Sequence, residues 1–201
     1  MSNKSNKINV YWSFRSPYSY LSTPGYLEIM EDYDVDLELK VVLPKALRTK
    51  GWFEGDNKKR IKYLIEVDYP RRAEMLGMCS EWPSPDPIVQ DMETYEIAKE
   101  QPLIYRLCHL GVEANRRGKG MQFAKEVSHL IWGGVKNWNQ GDHMEKACER
   151  CGLNLAEMEV AIENSESYDA EIEQNDKDLE AAGHWGVPSA VLNGEVFFGQ
   201  D

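Results

Sequence analysis

Cys148 and Cys151 have the spacing of a redox dithiol, Cys-Glu-Arg-Cys, in a chain of 201 residues. A working dithiol needs a thiol whose pKa is depressed, and the start of a helix supplies that through its positive dipole end. This pair instead follows the helical run Asp142-His-Met-Glu-Lys-Ala147 and leads into Gly152. It therefore sits at a helix end, where the dipole raises a thiol pKa, and it reads as structural. Zinc would need two further ligands close by, and His143 alone does not complete a set. His109, His129 and His143 fall on helical patterns and carry no evident role. The sequence holds neither a Gly-x-x-x-x-Gly-Lys-[Ser/Thr] nor a Gly-x-Gly-x-x-Gly phosphate-binding fingerprint. Carboxylates such as those of Glu171–Glu180 read as a solvated helix face. What remains is a hydroxyl: Ser16 stands directly before Pro17, the pairing of an N-cap with a proline at the first helical position.

The elements around Ser16 follow from hydrophobic period. Ile8, Val10, Trp12 and Phe14 alternate with polar residues, as in a half-buried strand over 7–14. Tyr18, Leu21, Tyr26, Leu27 and Met30 form one face of a helix reaching about Tyr33. Residues 35–43 alternate again and stop at Pro44, so the first 44 residues read β-α-β with parallel strands. From 57 to 182 the pattern is helical, with segments expected at 57–76, 91–117 (Gln101-Pro102 offering a break within it), 119–134, 142–151, 155–164 and 167–182. Asn154 and Ser167 suit N-caps, and Gly183 suits the C′ position. Strand-like segments 189–192 and 195–198 flank Asn193-Gly194, a strong hairpin signal. The pattern implies an α/β domain of 1–56 plus 183–201, with a helical domain of 57–182 inserted as a second lobe.

Composition narrows the partners. The chain is 42% hydrophobic and 28% charged, ordinary for a globular protein with a sizeable core. Its net charge of −11 is the wrong sign for a phosphate backbone or an anionic membrane surface, so neither nucleic acid nor membrane is an expected partner. No apolar run is long enough to span a bilayer. Four cysteines without an apolar leader point to free thiols in a reducing compartment, and a cytoplasmic location is expected.

Two segments carry a resemblance: Phe14-Arg-Ser-Pro-Tyr-Ser-Tyr-Leu21 at one end, and Gly183-His-Trp-Gly-Val-Pro-Ser189 through Phe197-Phe-Gly-Gln-Asp201 at the other. In this order, separated by helices, they resemble a branch of the thioredoxin-fold superfamily. That branch holds DsbA-type disulfide oxidoreductases, kappa-class glutathione transferases and 2-hydroxychromene-2-carboxylate isomerases, and the isomerase group is the nearest in pattern. The resemblance implies a thioredoxin-like fold with a large all-helical insertion between the β-α-β and β-β halves.

It also implies roles. Redox relatives carry Cys-x-x-Cys where this chain has Ser16 and Ser19, and serine cannot form a disulfide. The implied cofactor is glutathione, whose thiolate the Ser16 hydroxyl would stabilise; the plainer role for Ser16 is a helix cap alone. Val187 and Pro188 match the cis-proline motif, whose preceding residue pairs its backbone with an extended peptide, a small-scale β-augmentation. A trans proline opening an edge strand is the alternative. Gln200 and Asp201 would hold the γ-glutamyl end of glutathione, and Arg60 its glycine carboxylate, although a solvated helix face is the commoner fate of the Lys58–Lys62 run. Trp52, Phe53 and Trp82 would wall a pocket for a small aromatic substrate, and the His184-Trp185 pair stands beside it.

The activity implied is a glutathione-dependent cis-trans isomerisation of an aromatic-catabolic intermediate. A kappa-like transferase would differ in keeping the adduct. A non-catalytic peptide-binding module would use Val187 without glutathione. Homodimers are common among the relatives, and no segment of this sequence identifies an interface for one.

Overall fold

The computed structural model describes residues 6–91 and 93–199. Strand β1 (Asn6–Trp12) pairs in parallel with β2 (Val35–Val41) and antiparallel with β3 (Ser189–Leu192). Strand β4 (Glu195–Phe198) closes the hairpin with β3, giving the order β2-β1-β3-β4. Asn193 and Gly194 both take positive φ, 53° and 84°, as a two-residue hairpin turn demands. One sheet face carries Val10 and Trp12 of β1 with Leu37, Leu39 and Val41 of β2, all buried. The other face buries Tyr11 with Val42.

The crossover between β1 and β2 is two helices where the pattern predicts one: α1 (Pro17–Leu21) and α2 (Thr23–Asp32). Pro24 has no N–H to give the Tyr20 carbonyl four residues back, which interrupts the ladder. The Thr23 hydroxyl takes over that carbonyl at 2.8 Å, and the Ser22 hydroxyl donates to Ser19 O at 2.7 Å. The helical run expected over 57–76 is likewise divided. It comprises α4 (Asp56–Tyr63), a π turn (Leu64–Asp68) and α5 (Tyr69–Met75). Pro70 lacks the N–H that an α-helix would offer Glu66, and the wider turn absorbs the loss.

After α3 (Lys45–Arg48) and the α4–α5 run come α6 (Pro102–Arg116), α7 (Gly120–Trp132), α8 (His143–Arg150), α9 (Leu155–Ala161) and α10 (Glu166–Ala181). The helix expected from 91 begins only at Pro102. Asp91 Oδ1 accepts from the amides of Glu93 and Thr94 at 2.8 and 2.7 Å, and Gln101 ties Val89 and Ala98 by their backbones. Those side-chain bonds offer the chain an alternative to helix. Asn154 caps α9 as expected, accepting from Glu157 N at 3.1 Å, whereas α10 starts after Ser165 rather than at Ser167.

The helices between the two sheet segments share the sheet's core. A continuous apolar cluster runs from Val10 and Trp12 through Phe123 and Trp132 of α7 to Met158 of α9. At the contact, Gly111 of α6 lies so close to the sheet that a Cβ there would stand 2.8 Å from the Phe14 ring and 3.0 Å from Val41. Helix α10 covers the opposite face: Leu179 packs with Tyr11 and Val42, and Asn175 Nδ2 donates to Val41 O at 3.0 Å. So α10, which the pattern groups with the inserted helices, forms one layer of the sheet.

Among the described residues no helix is long and apolar enough to cross a membrane.

Candidate active site

Chain reversals after β1, after β2 and before β3 meet at one end of the sheet, where open α/β folds commonly bind ligands. There Ser16 opens α1, its backbone extended at φ −94°, ψ 115°. Its Oγ accepts from Ser19 N–H at 3.1 Å, the expected cap, and donates to Val187 O at 3.3 Å. Cap and cleft roles therefore coexist in one side chain. The Val187–Pro188 peptide bond is cis. Among the described residues the Val187 N–H has no hydrogen-bond partner, leaving a donor free at the cleft.

A cleft of about 350 Å³ opens on these groups. Of the two serines at redox spacing only Ser16 lines it; Ser19 is fully buried and its hydroxyl has no partner among the described residues. Because α1 is only five residues long, its dipole is a smaller source of positive potential than an unbroken helix to Tyr33 would be. Side chains compensate. Among the described residues, Lys45 and Arg48 of α3, Arg60 of α4, Arg72 of α5 and Arg15 all line the cleft, with Asp68 the one lining carboxylate. That compensation is partial, because Arg15, Lys45, Arg48 and Arg72 each meet a carboxylate, of Asp86, Glu180, Asp176 and Asp68 respectively.

These cations are not equivalent. Arg15 is fixed by a two-pronged contact with Asp86 at 2.9 and 3.0 Å. Arg48 is held by Leu43 O at 2.7 Å, by Trp185 O at 3.2 Å and by the Asp176 carboxylate. Its burial brings its pKa down to about 10. Burial, reinforced by the neighbouring Arg48 charge, also lowers the Lys45 pKa. Arg60 is exposed at the rim and, among the described residues, has no ion-pair partner, so it is available to a ligand anion. Facing them, the Tyr18 hydroxyl donates to Asp68 at 2.5 Å; burial and that bond raise its pKa, so the phenol stays protonated.

The aromatic residues expected at the pocket separate. Trp52 lines the cleft and meets Trp185 edge to face at 5.5 Å. Phe53 does not line it; its ring packs on Tyr95 at 5.3 Å. Trp82 is also outside the lining. It packs on Trp132 and donates to Asp86 at 3.1 Å, and the Arg15 guanidinium lies over its ring, so it supports a lining residue from behind. Sequence position alone draws both toward the cleft, and neighbouring aromatic and ionic partners claim them instead. Val187, Pro188 and Arg60 do join Ser16 at the lining, whereas Gln200 and Asp201 lie outside the described residues.

Lys45, Arg48, Asp68 and Arg72 escape the sequence reading. Lys45 and Arg48 do leave a signal, a basic pair directly after the strand-ending Pro44. The Cys148–Cys151 pair is far from this chemistry. Both thiols are free and buried, and Cys151 Sγ donates to Ala147 O at 3.2 Å. Burial pushes their pKa values up to about 11 and about 12. Among the described residues no group of three His, Cys, Asp or Glu is placed to hold a metal.

A comparison with curated proteins gives no match. Solved structures do align over nearly the whole chain. A 2-hydroxychromene-2-carboxylate isomerase aligns at TM-score 0.62 and 18% identity, covering 97% of this chain and 89% of its own. A probable DsbA oxidoreductase from Streptomyces coelicolor aligns at TM-score 0.62 and 13% identity, covering 97% and 84%. The cytosolic disulfide reductase DsbM from Pseudomonas aeruginosa, solved with GSH, aligns at TM-score 0.59 and 12% identity, covering 97% and 89%. At such identities these likenesses establish the fold. A family model described as a DSBA-like thioredoxin domain matches residues 7–201, nearly the whole chain, and the chain belongs to the DSBA-like thioredoxin domain family.

Proposed function

We propose that the cleft binds glutathione and that the protein is a glutathione-dependent isomerase of the 2-hydroxychromene-2-carboxylate isomerase type. The observation that carries the reading is the meeting of Ser16 and Val187. A hydroxyl that cannot do disulfide chemistry stands 3.3 Å from the carbonyl oxygen of Val187, a residue whose own N–H has no partner among the described residues. Relatives with both associations support it: one similar structure is that isomerase and another was solved with GSH.

The residues present fit the tripeptide. The free Val187 N–H suits an extended peptide backbone, and Arg60 offers a guanidinium to a carboxylate. Bound glutathione supplies a thiolate able to add reversibly to a conjugated carbon. The Ser16 Oγ–H stabilises a negative sulfur by turning its proton from Val187 O, and a 3.3 Å bond is weak enough to exchange. Lys45 and Arg48 offer N–H donors at the cleft wall, although each also meets a carboxylate, Glu180 and Asp176, and such donors suit charge developing on a substrate oxygen. Trp52 and Trp185 form an apolar wall that excludes water from one side. A cytoplasmic location, with glutathione abundant and thiols reduced, accords with the four free cysteines.

Calorimetry at neutral pH tests this. The wild type is expected to bind glutathione with proton release, and Ser16→Ala to bind about tenfold more weakly with less release. A folded wild type that shows no binding sinks the reading.

A further inference from the structure

His184 takes no part in the proposed chemistry, yet its ring is tied to the segment that carries Val187. The imidazole packs between Trp185, stacked at 5.7 Å with planes 7° apart, and Phe198, at 4.1 Å. Its Nδ1 accepts from Gly186 N–H at 3.0 Å. The other polar group of Gly186 is fixed as well, because Ser189 Oγ donates to Gly186 O at 2.7 Å. Gly186 is wedged in this grip: a Cβ there would lie 2.7 Å from the Phe198 ring and 2.9 Å from His184 Cε1. One residue later, Val187 O receives the Ser16 hydroxyl.

We infer that His184 is a positioning residue. The bare Nδ1 of its neutral ring holds the Gly186 amide and so aims the Val187 peptide group at the cleft, and protonation of Nδ1 releases it. Ser189 Oγ also lies 3.4 Å from Nδ1, with its own proton on Gly186 O, and the shorter 3.0 Å amide contact, open only to a bare Nδ1, assigns the ring to the Nε2–H tautomer. Protonating Nδ1 would set two donors against each other at 3.0 Å and give the new N–H the Ser189 Oγ, 3.4 Å away, as its acceptor, so the hold on the Gly186 amide is lost. Charged groups reach the segment from two sides. On α3, Arg48 donates to Trp185 O at 3.2 Å and the Lys45 ammonium lies 5.3 Å from the Trp185 ring. On α10, Asp176 pairs with Arg48, and Glu180 lies 3.9 Å from Lys45. The β3 and β4 neighbours of the ring, Ser189 and Phe198, carry no charge.

The link to ligand binding rests on the glutathione reading, whereas the link between imidazole and amide does not. Two measurements keep them apart. In NMR titration of the ligand-free protein, His184 is expected as the Nε2–H tautomer at neutral pH. The Gly186 amide should shift with the same midpoint as the ring. In calorimetry, glutathione affinity of the wild type should fall about tenfold or more as pH drops through that midpoint. His184→Ala should bind weakly at every pH. His184→Asn, whose side-chain carbonyl can accept from the amide two residues on, should recover most of the loss and abolish the pH dependence. An Nδ1–H tautomer, or a Gly186 amide indifferent to the ring's titration, overturns the inference, as does an unchanged pH profile in His184→Asn. Absence of glutathione binding at any pH would defeat the functional reading, and the NMR arm would still decide for or against His184.

Discussion

Ser16 and Cys148 each open a motif of two polar side chains three residues apart, and the fold treats them in opposite ways. Ser16 begins a helix at the rim of a cleft lined, among the described residues, by five cations and one carboxylate, with the Val187 carbonyl across from it. Cys148 lies in the last turn of α8, fully buried among apolar neighbours, with its thiol pKa driven up to about 11. The intrinsically better nucleophile sits where burial suppresses its ionisation, and the poorer one at an open cleft beside cationic side chains. Environment decides reactivity at both places, and residue type alone points to the wrong one.

The sharpest way to break that contrast is to put a thiol at the first site. In Ser16→Cys, the introduced thiol and Cys148 can be followed peptide by peptide with an alkylating reagent at pH 7. A thiol of pKa about 11 is ionised to roughly one part in 10⁴ there, against a few per cent for an ordinary cysteine. The introduced thiol is thus expected to be labelled more than about 100-fold faster than Cys148 in the folded protein. Equal rates would mean that the cleft offers a thiolate no advantage.

Alkali should test the other half. Folding raises the Cys148 and Cys151 pKa values above those of the unfolded chain. Their contribution to stability is therefore fully present below about pH 8.5–9, the unfolded value, and is lost as pH climbs toward 11 or 12. Chemical denaturation of the wild type at pH 7 and pH 10 should show a loss of roughly 1–3 kcal/mol, smaller in Cys148→Ala after allowing for that variant's own cavity. Indifference to the substitution would place the alkaline loss elsewhere, for instance on Tyr26, whose burial raises its phenol to about 12.

The same contrast explains which features could be read from sequence. Period and punctuation act locally, so the β-α-β start, the Asn193-Gly194 hairpin and the Ser16 and Asn154 caps were legible. Asp91 and Gln101 defeat the helix expected from 91 because they bond backbone amides and carbonyls through their side chains. Pro24 and Pro70 divide helical runs that the period reads as single, with the Thr23 hydroxyl replacing one missing donor and a π turn accommodating the other. At the site, Ser16, Val187 and Arg60 come from motif matching, but Lys45, Arg48 and Arg72 converge only through the fold. Phe53 and Trp82 show the converse: a large aromatic near a loop is claimed by whichever partner the tertiary structure brings, here Tyr95 and Trp132.

The smallest expected effect separates the two serines themselves. Ser16 Oγ makes two hydrogen bonds, one of them the cap of α1, so Ser16→Ala should cost about 1 kcal/mol in denaturation. Ser19 Oγ is buried with no partner among the described residues, and its desolvation is uncompensated. Ser19→Ala removes that cost and leaves one small void, so stability should be unchanged or raised by up to about 1 kcal/mol. Glutathione binding should also be unaltered, because Ser19 does not reach the cleft. A Ser19→Ala variant destabilised as much as Ser16→Ala would show that the second hydroxyl has a partner after all. The asymmetry between the two positions of the motif would then disappear.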